Sequence, residues 1–224
     1  MDDDKTYYHA YDERYKTIHA RGQAWAGDVP TPIVLATLER YGVPRTAAIL
    51  EVGCGEGRDA RAVLDAGYRL TATDVSPEAI AYCRRTYPAY ADGFATLDCL
   101  RDTSSARYAA IYAVAVLHML VADEHRRAFY AFFVEHLEEK GVGLICTMGD
   151  GEHEMQTDVA EAFELRPRRH ESGEVMVAAT SCRMVSFATF RREIAESGLV
   201  IVEEGLTSAM PDFDSLLYAV VRRA

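Results

Sequence analysis

Aromatic and apolar residues recur at three- and four-residue steps near the start of the chain, which predicts an amphipathic helix. The residues that set this spacing are Tyr7, Tyr8, Tyr11, Tyr15 and Ile18. A second helix is predicted from Pro32, whose fixed φ suits a first helical turn, to Tyr41, and Gly42 ends it. We therefore predict an N-terminal helical lid formed by residues 1–42, with the acidic residues 1–5 left out of the fold prediction.

Beyond residue 42, short apolar runs alternate with amphipathic stretches. The predicted strands cover residues 47–52, 68–73, 93–97, 108–117, 142–148, 199–202 and 216–221. The predicted helices cover residues 59–66, 77–86, 123–140 and 187–197. In the predicted helix over residues 123–140, Leu137 lies on the buried apolar stripe, and Gly141 marks the end of the helix.

This alternation predicts an α/β fold of the Rossmann-like, doubly wound kind, with a mainly parallel seven-stranded sheet. The link between the last two strands is short for a crossover, so the last strand is predicted to be antiparallel. Without an internal repeat or a flexible linker, residues 1–224 are predicted to form a single domain. Residues 149–186 are the least regular part and are predicted to be a functional insertion.

Charge and cysteine usage narrow the possible partners. The chain carries 24 Lys and Arg against 35 Asp and Glu, a net charge of −11, which disfavours nucleic acid as a partner. No apolar run approaches the ~20 residues of a membrane span, and no signal peptide opens the chain, so no membrane partner is expected. The five cysteines are scattered and lack Cys-x-x-Cys spacing; they are Cys54, Cys83, Cys99, Cys146 and Cys182. This pattern favours reduced thiols over a zinc or redox site, and reduced thiols favour a cytoplasmic location.

A glycine-rich turn follows the first predicted strand, in the sequence Glu51-Val52-Gly53-Cys54-Gly55-Glu56-Gly57. Glycines remove the Cβ atoms where the backbone must turn and where a ligand lies against it. The second strand ends in Asp74, where a carboxylate can accept both hydroxyls of a ribose. Ligands of such sheets bind beyond the carboxyl ends of the strands, so the turn and Asp74 predict a binding site for a ligand with a ribose.

Two features separate this turn from a dinucleotide site. The dinucleotide fingerprint places a third glycine where Arg58 stands. Acidic residues also flank the turn, namely Glu51, Glu56 and Asp59. Carboxylates there would oppose a diphosphate and tolerate a cationic ligand such as a sulfonium or an amino-acid ammonium.

Four features of the sequence together resemble the class I S-adenosylmethionine-dependent methyltransferases. They are the glycine-rich turn, Asp74, the Leu97-Asp98 pair and the stretch Ala113 to His118. The resemblance covers residues 30–224 in order of elements and implies S-adenosylmethionine as the cofactor. It places Gly53 and Gly55 at the methionine part, Asp74 at the ribose, Asp98 at the adenine amino group, and the backbone near Val114 at the ribose or adenine face. Further cofactor contacts are expected from Cys54, Val75 and Cys99. The alternative for Asp74 and Asp98 is that each carboxylate caps the turn that follows it.

Within that family, the sequence Gly-Glu-Gly-Arg-Asp-Ala with Gly67-Tyr68 is similar to the thiopurine and tellurite-resistance methyltransferases, in part of the chain. The Asn/Asp-Pro-Pro-Tyr tetrapeptide of nucleobase amino-methyltransferases is absent at Ala115 to His118, which disfavours DNA and RNA substrates. Tyr15 and Trp25 are predicted to cover the cofactor, because aromatic faces attract a sulfonium. Core packing of their segment is the alternative.

Methyl transfer from a sulfonium needs alignment more than acid–base help. His118, at the end of the fourth strand, is a candidate proton acceptor, with a packed core histidine as the alternative. Glu152 and His153 in the insertion are further catalytic candidates, with a solvated acidic loop or a metal site as alternatives. No metal is expected. The basic cluster Arg166 to His170 is interpreted as a solvated hairpin face or a contact for an acidic substrate group.

The sequence therefore predicts a methyltransferase that acts on a small polar metabolite by in-line displacement, with residues 149–186 contributing to the acceptor pocket. A non-catalytic S-adenosylmethionine- or nucleotide-binding module is the alternative, and a nicotinamide dehydrogenase is a third. The expected partner is a small-molecule methyl acceptor, and the expected assembly is a monomer or a homodimer. The pattern leaves open the acceptor and the atom that is methylated.

Overall fold

Strands and helices alternate along the chain in the predicted order. The structure is a computed structural model that describes residues 6–208 and 215–224, so residues 1–5 of the predicted lid lie outside the described residues. Its helices are α1 (Ala10–His19), α2 (Pro32–Arg40), α3 (Arg58–Asp65), α4 (Pro77–Thr86), α5 (Asp123–His136) and α6 (Phe187–Glu196). Its strands are β1 (Ile49–Val52), β2 (Leu70–Asp74), β3 (Phe94–Thr96), β4 (Tyr108–Val114), β5 (Leu137–Met148), β6 (Met155–Gln156), β7 (Leu165–His170), β8 (Gly173–Ala178), β9 (Arg183–Met184), β10 (Leu199–Thr207) and β11 (Leu216–Arg223).

Seven of the strands in the described residues form the central sheet, in the order β10-β11-β5-β4-β1-β2-β3. Strand β11 is antiparallel to both of its neighbours, and the other pairings within the sheet are parallel. The predicted α/β, Rossmann-like fold with an antiparallel last strand is confirmed. The strand order runs outward in opposite directions from β1 and β4, which places a topological switch point between these two strands.

Helices cover both faces of the sheet because successive strand residues point to opposite faces. In β4, Ala110, Tyr112 and Val114 pack in the core beneath α2, α3 and α4. Ile111 and Ala113 pack in the second core beneath α5 and α6, which also buries the α5 phenylalanines Phe129, Phe132 and Phe133. The continuous apolar runs in the sequence follow from this double coverage.

The structure corrects the predicted end of the long helix. Helix α5 ends at His136, and Leu137 is already extended, with φ −70° and ψ 137°. Leu137 pairs with Tyr108 as the first residue of β5, and the sheet register shifts before Ala110 pairs with Val142. Leu137 is fully buried in the core as a strand residue. A buried leucine at this position also fits the apolar stripe of a helix, so the sequence pattern did not distinguish the two elements.

Residues 149–186 are more regular than predicted. They contain the antiparallel hairpin β7–β8 and the short antiparallel pair β6–β9. Val175 and Val177 of β8 pack against Ile18 of α1 in a small separate core, with Trp25 at its border. The insertion is therefore tied to the N-terminal segment.

The predicted lid divides into two parts. Helix α2 belongs to the main core, because Val34 and Leu38 pack there. Residues 6–27, which we call the lid from here on, begin with a 3₁₀ turn at Tyr7–His9 and continue through α1. No helix in residues 6–208 or 215–224 has the length and apolar character of a membrane span.

We expect the substitution Leu137→Ala to lower the free energy of unfolding by about 2–5 kcal/mol, because a fully buried leucine leaves a cavity. Leu206→Ala is the matched control, since Leu206 is 52% exposed on β10, and it should change stability by no more than about 0.5 kcal/mol. Urea denaturation measures both values. Equal losses in the two variants would contradict the placement of Leu137 in the core.

Candidate functional site

A cavity of about 590 Å³ opens at the switch point of the sheet. Its floor is the turn between β1 and α3, the end of β2 at Asp74 and the end of β4 at Val114. Residues of the lid and of the β7–β8 hairpin close its upper side. The cavity thus occupies the position where doubly wound sheets bind their ligands.

The turn between β1 and α3 depends on its glycines. Gly53, Gly55 and Gly57 have φ values of 74°, 53° and 79°, in the left-handed region that side chains disfavour. A Cβ on Gly53 would lie 2.2 Å from Cγ2 of Val116, and one on Gly55 would lie 2.8 Å from the hydroxyl of Tyr15. Bare backbone is therefore needed for the turn itself and for the walls of the cavity.

Asp74 holds this turn and also faces the cavity. Its Oδ2 accepts a hydrogen bond from the Gly55 N–H at 2.8 Å, and its Oδ1 accepts one from the Ser76 N–H at 2.8 Å. Burial raises the pKa of Asp74 to about 6, although these two hydrogen bonds act in the opposite direction. Each oxygen keeps acceptor capacity, because a carboxylate oxygen accepts more than one bond.

The acidic residues beside the turn line the cavity and also have hydrogen-bond partners within the protein. Burial holds the pKa of Glu51 well above its usual range, and Tyr112 donates a 3.0 Å hydrogen bond to it. Asp59 accepts hydrogen bonds from the N–H and the hydroxyl of Thr31, at 2.5 and 2.9 Å, and from Arg58 at 3.1 Å. The cationic preference expected from these acids is thus reduced by their own partners.

Glu56 fastens the lid to the turn. It is 6% exposed, and its two oxygens accept hydrogen bonds from the backbone N–H groups of Trp25 at 2.6 Å and Ala26 at 2.7 Å. Nε2 of His19 lies 2.9 Å from the same carboxylate. Because a buried carboxylate without partners is costly, the lid and the turn stabilise each other in this position.

The lid is also anchored at its other end. The hydroxyl of Tyr7 accepts the backbone N–H of Ala122 at 3.0 Å, next to the start of α5. The hydroxyl of Tyr8 donates to Asp98 at 2.9 Å. In the middle of the lid, Asp12 accepts the hydroxyl hydrogen bond of Ser76 at 2.6 Å. Along its length, the lid therefore contacts the segments that follow β4, β3 and β2.

The turn after β4 carries His118 into the cavity wall. Ala115 has a φ of 57°, a strained value for a residue with a side chain, and such strain often marks functional sites. His118 is 4% exposed, and burial together with the positive charge of Arg126 lowers its pKa to about 4. The guanidinium of Arg126 donates to the carbonyl of Leu117 at 2.9 Å and forms a bidentate pair with Glu193 on α6. Helices α5 and α6 thus hold this turn in place.

The β7–β8 hairpin contributes Arg169 and His170 to the cavity. His170 stacks on Trp25, with ring centroids 5.9 Å apart, and its Nε2 lies 2.7 Å from the carbonyl of Ala24. The guanidinium of Arg14 also lies over the Trp25 ring, 4.6 Å from its centroid. Trp25 therefore contacts both a cation of the lid and a histidine of the hairpin.

The structure brings together most of the predicted site residues. Those that line the cavity are Tyr15, Trp25, Gly53, Cys54, Gly55, Asp74, Val75, Val114 and His118. The lining does not include Asp98 or Cys99, and Asp98 accepts hydrogen bonds from Tyr8 and from the N–H of Leu100. Their predicted contact with adenine stays a prediction.

Glu152 and His153 lie outside the cavity lining. Their backbone N–H groups donate to Oδ1 of Asp150, each at 2.9 Å, and Nδ1 of His153 lies 2.6 Å from Oδ2 of the same carboxylate. The side chain of His153 is 78% exposed. Among the described residues, no group of three or more histidines, cysteines and acids is arranged to hold a metal ion.

Arg58 and Met119 line the cavity but were not predicted to do so. Arg169 and His170 were expected on a solvated hairpin face or at an acidic substrate group, and the structure places them on a hairpin at the cavity wall. The signal that identifies them is the hairpin pattern itself, in which Val175 and Val177 alternate with exposed residues after the turn at Gly173. Arg58 was read only as a departure from a dinucleotide motif.

Comparisons with known proteins agree with this architecture. A family model described as "Methyltransferase domain" matches residues 49–141. No curated protein sequence matches the chain.

Three solved structures have a similar fold. The glycopeptide N-methyltransferase MtfA, complexed with S-adenosyl-L-methionine, is 15% identical with a TM-score of 0.64, and the match covers 89% of this chain and 96% of that one. The TehB-like methyltransferase from Corynebacterium glutamicum is 19% identical with a TM-score of 0.57, covering 96% of both chains. The 1,6-didemethyltoxoflavin-N1-methyltransferase from Burkholderia thailandensis is 17% identical with a TM-score of 0.69, covering 100% of this chain and 93% of that one. At these identities the likeness shows the fold.

The two histidines predicted to be catalytic should have pKa values that are shifted in opposite directions from the pKa of an ordinary histidine. His118 should remain neutral from pH 8 down to pH 5, because its pKa is about 4. His153 should take up its proton above pH 6.5, because Asp150 raises its pKa. Histidine ring signals in an NMR titration, assigned with His118→Gln and His153→Gln, measure both. A His118 signal that moves near pH 6.5 would contradict its burial in the cavity wall.

Proposed function

We propose that this chain, an S-adenosylmethionine-dependent methyltransferase with a class I fold, transfers the methyl group to a small polar acceptor by in-line displacement. The observation that carries the proposal is the cavity between the glycine turn, Asp74 and His118, closed by the lid and the hairpin. Such an enclosure supports alignment of two reactants, which is the main service that a methyl transfer needs.

The residues of the cavity fit the cofactor. Asp74 would hold the ribose hydroxyls, because both of its oxygens are fixed by backbone N–H groups and still have acceptor capacity. The bare backbone of Gly53 and Gly55 would lie along the methionine part. Arg58, beside the turn, has a buried Nε without a hydrogen-bond partner and suits the carboxylate of that amino acid. These contacts leave out Asp98, because it does not line the cavity.

When bound, the cofactor supplies an electrophilic methyl group on a sulfonium leaving group. The chain's own contribution is to exclude water, through Tyr15 and Trp25 of the lid, and to orient the acceptor. A neutral His118 accepts a hydrogen bond from an N–H or O–H of the acceptor. Its lowered pKa makes it a weaker base than an ordinary histidine, so we assign it to orientation rather than to full proton removal.

The acceptor is proposed to be a small polar molecule that enters between the lid and the β7–β8 hairpin. Arg169 and His170 would contact it there, which gives residues 149–186 their role in the acceptor pocket. Two of the similar structures act, by their names, on a glycopeptide and on 1,6-didemethyltoxoflavin, which supports an acceptor other than nucleic acid. A cytoplasmic location remains part of this proposal.

Turnover tests the proposal directly. Incubation of the chain with S-adenosylmethionine labelled in the methyl group, together with fractionated metabolites, should yield S-adenosylhomocysteine and a labelled small molecule. Calorimetry should show binding of S-adenosylhomocysteine and no binding of NAD. Binding of the cofactor without turnover by any fraction would favour the non-catalytic module, and binding of NAD alone would favour the dehydrogenase.

Asp74→Asn should weaken binding of S-adenosylhomocysteine by about 1–3 kcal/mol, because the ribose hydroxyls lose a charged acceptor. For the wild-type chain, affinity should fall as the pH drops below about 6. The reason is that ribose hydroxyls bind the ionised carboxylate, which protonation removes. Isothermal titration between pH 5 and 8 measures both effects.

Asp65→Asn is the matched control, because the Asp65 side chain is 52% exposed on α3. Its affinity and pH profile should equal those of the wild type. Unchanged affinity in Asp74→Asn would show that the ribose is held elsewhere.

A further inference from the structure

His19 lies at the junction of three parts of the site. Nε2 of His19 is 2.9 Å from Oε1 of Glu56 in the glycine turn, and Nδ1 is 2.9 Å from Oε1 of Glu78 on α4. The His19 side chain is 5% exposed and that of Glu56 is 4% exposed. One lid side chain therefore bridges two acidic side chains on separate elements beside the cofactor cavity.

This geometry specifies the protonation state of the imidazole. A carboxylate oxygen only accepts hydrogen bonds, and a neutral imidazole has a single N–H to donate. With a carboxylate at each ring nitrogen, the neutral form would direct a lone pair at one of them. Both contacts are satisfied only when His19 carries two N–H groups and a positive charge.

The surroundings favour the same state. The His19 ring is stacked between those of Tyr15 and Tyr82, with centroids 5.6 and 4.3 Å away and both planes tilted by 19°. Aromatic faces attract a cation placed between them. Burial lowers the pKa of His19, but the hydrogen bonds to Glu56 and Glu78 outweigh this and hold it above its usual range.

Other charged groups around this bridge are already paired. On α4, Arg85 lies 3.2 Å from Oε1 of Glu78. On α1, Lys16 lies 2.7 Å from Asp12. In the glycine turn, Glu56 also accepts the backbone N–H groups that follow α1 in the lid. Arg85 is therefore a second cation at the Glu78 carboxylate, and His19 is the cation that lies between Glu78 and Glu56.

We propose that His19, held as an imidazolium between Glu56 and Glu78, is the positioning residue that keeps the lid closed over the cofactor in a pH-dependent way. The inference rests on the proposed function, since it assumes that the cavity holds the cofactor. His19 itself does not contact the cofactor in this proposal. Its effect passes through the lid, which carries Tyr15 and Trp25 into the cavity wall.

The direction of the pH dependence follows from the charge. The bridge is complete while His19 is protonated and is lost as the pH rises through its raised pKa, above about 6.5. Release of the cofactor should therefore become faster on the alkaline side. This is opposite to Asp74, whose protonation weakens binding on the acid side, so the two effects are separable.

Trp25 provides the readout, because it is the single tryptophan of the chain and lines the cavity. Stopped-flow tryptophan fluorescence measures the dissociation rate of S-adenosylhomocysteine between pH 6 and 8.5. In the wild type we expect this rate to increase about tenfold across that range, the size expected for loss of a charge-assisted hydrogen bond. In His19→Gln the rate should be high and independent of pH, because an amide does not titrate.

Glu78→Gln distinguishes the proposal from a purely structural role. It leaves His19 one carboxylate instead of two, so the pH at which the rate increases should move to a lower value. Loss of a merely structural contact would change the rate without moving this midpoint. Glu135→Gln is the matched control, because it makes the same exchange at an exposed glutamate of α5 outside the cavity lining, and it should keep the midpoint of the wild type.

A wild-type rate that is constant from pH 6 to 8.5, or an unaltered pH profile in His19→Gln, would overturn the role of His19. These outcomes leave binding of S-adenosylhomocysteine intact. If the chain bound no S-adenosylhomocysteine at any pH, the proposed function would fail, and this inference with it. Circular dichroism of each variant confirms that the fold is retained.

Discussion

The buried carboxylate of Glu56 is the interaction on which the site depends. A glycine turn by itself would leave an open groove at the carboxyl ends of the central strands. Glu56 requires hydrogen-bond donors because it is withdrawn from water, and the lid supplies them from Trp25, Ala26 and His19. The turn proposed to face the cofactor is therefore also the point where the lid is held, and the lid covers part of the groove.

The second constraint is the switch point of the sheet. The strand order reverses between β1 and β4, so the turns after these strands lie side by side. The turn after β1 provides bare backbone, and the turn after β4 provides His118, held by Arg126 from α5. Asp74 at the end of β2 connects to the first turn through the Gly55 N–H. The residues proposed to contact the cofactor and the acceptor thus come from separate elements that meet at the carboxyl ends of the strands.

Local patterns made the fold and half of the site predictable. Continuous apolar runs identify doubly covered strands, and the glycines with Asp74 are close enough in sequence to be recognised as one unit. Leu137 shows the limit of such patterns, because a buried leucine at a helix–strand junction fits either element. Arg169 and Glu56 could not be placed from sequence, since their positions depend on contacts between the lid, the hairpin and the turn, which are far apart along the chain. The acids beside the turn are expected to face a cation, and the structure adds the long-range partners that hold their carboxylates at the cavity wall.

The central claim is that Asp74 and the glycine turn hold the cofactor beneath a lid fastened by Glu56. A crystal structure of the chain with S-adenosylhomocysteine tests it most directly. The account predicts both ribose hydroxyls within hydrogen-bond distance of Asp74, the thioether sulfur between the glycine turn and His118, and residues 6–27 covering the ligand. A ribose bound by a different side chain, or a cofactor seated outside this cavity, would contradict it.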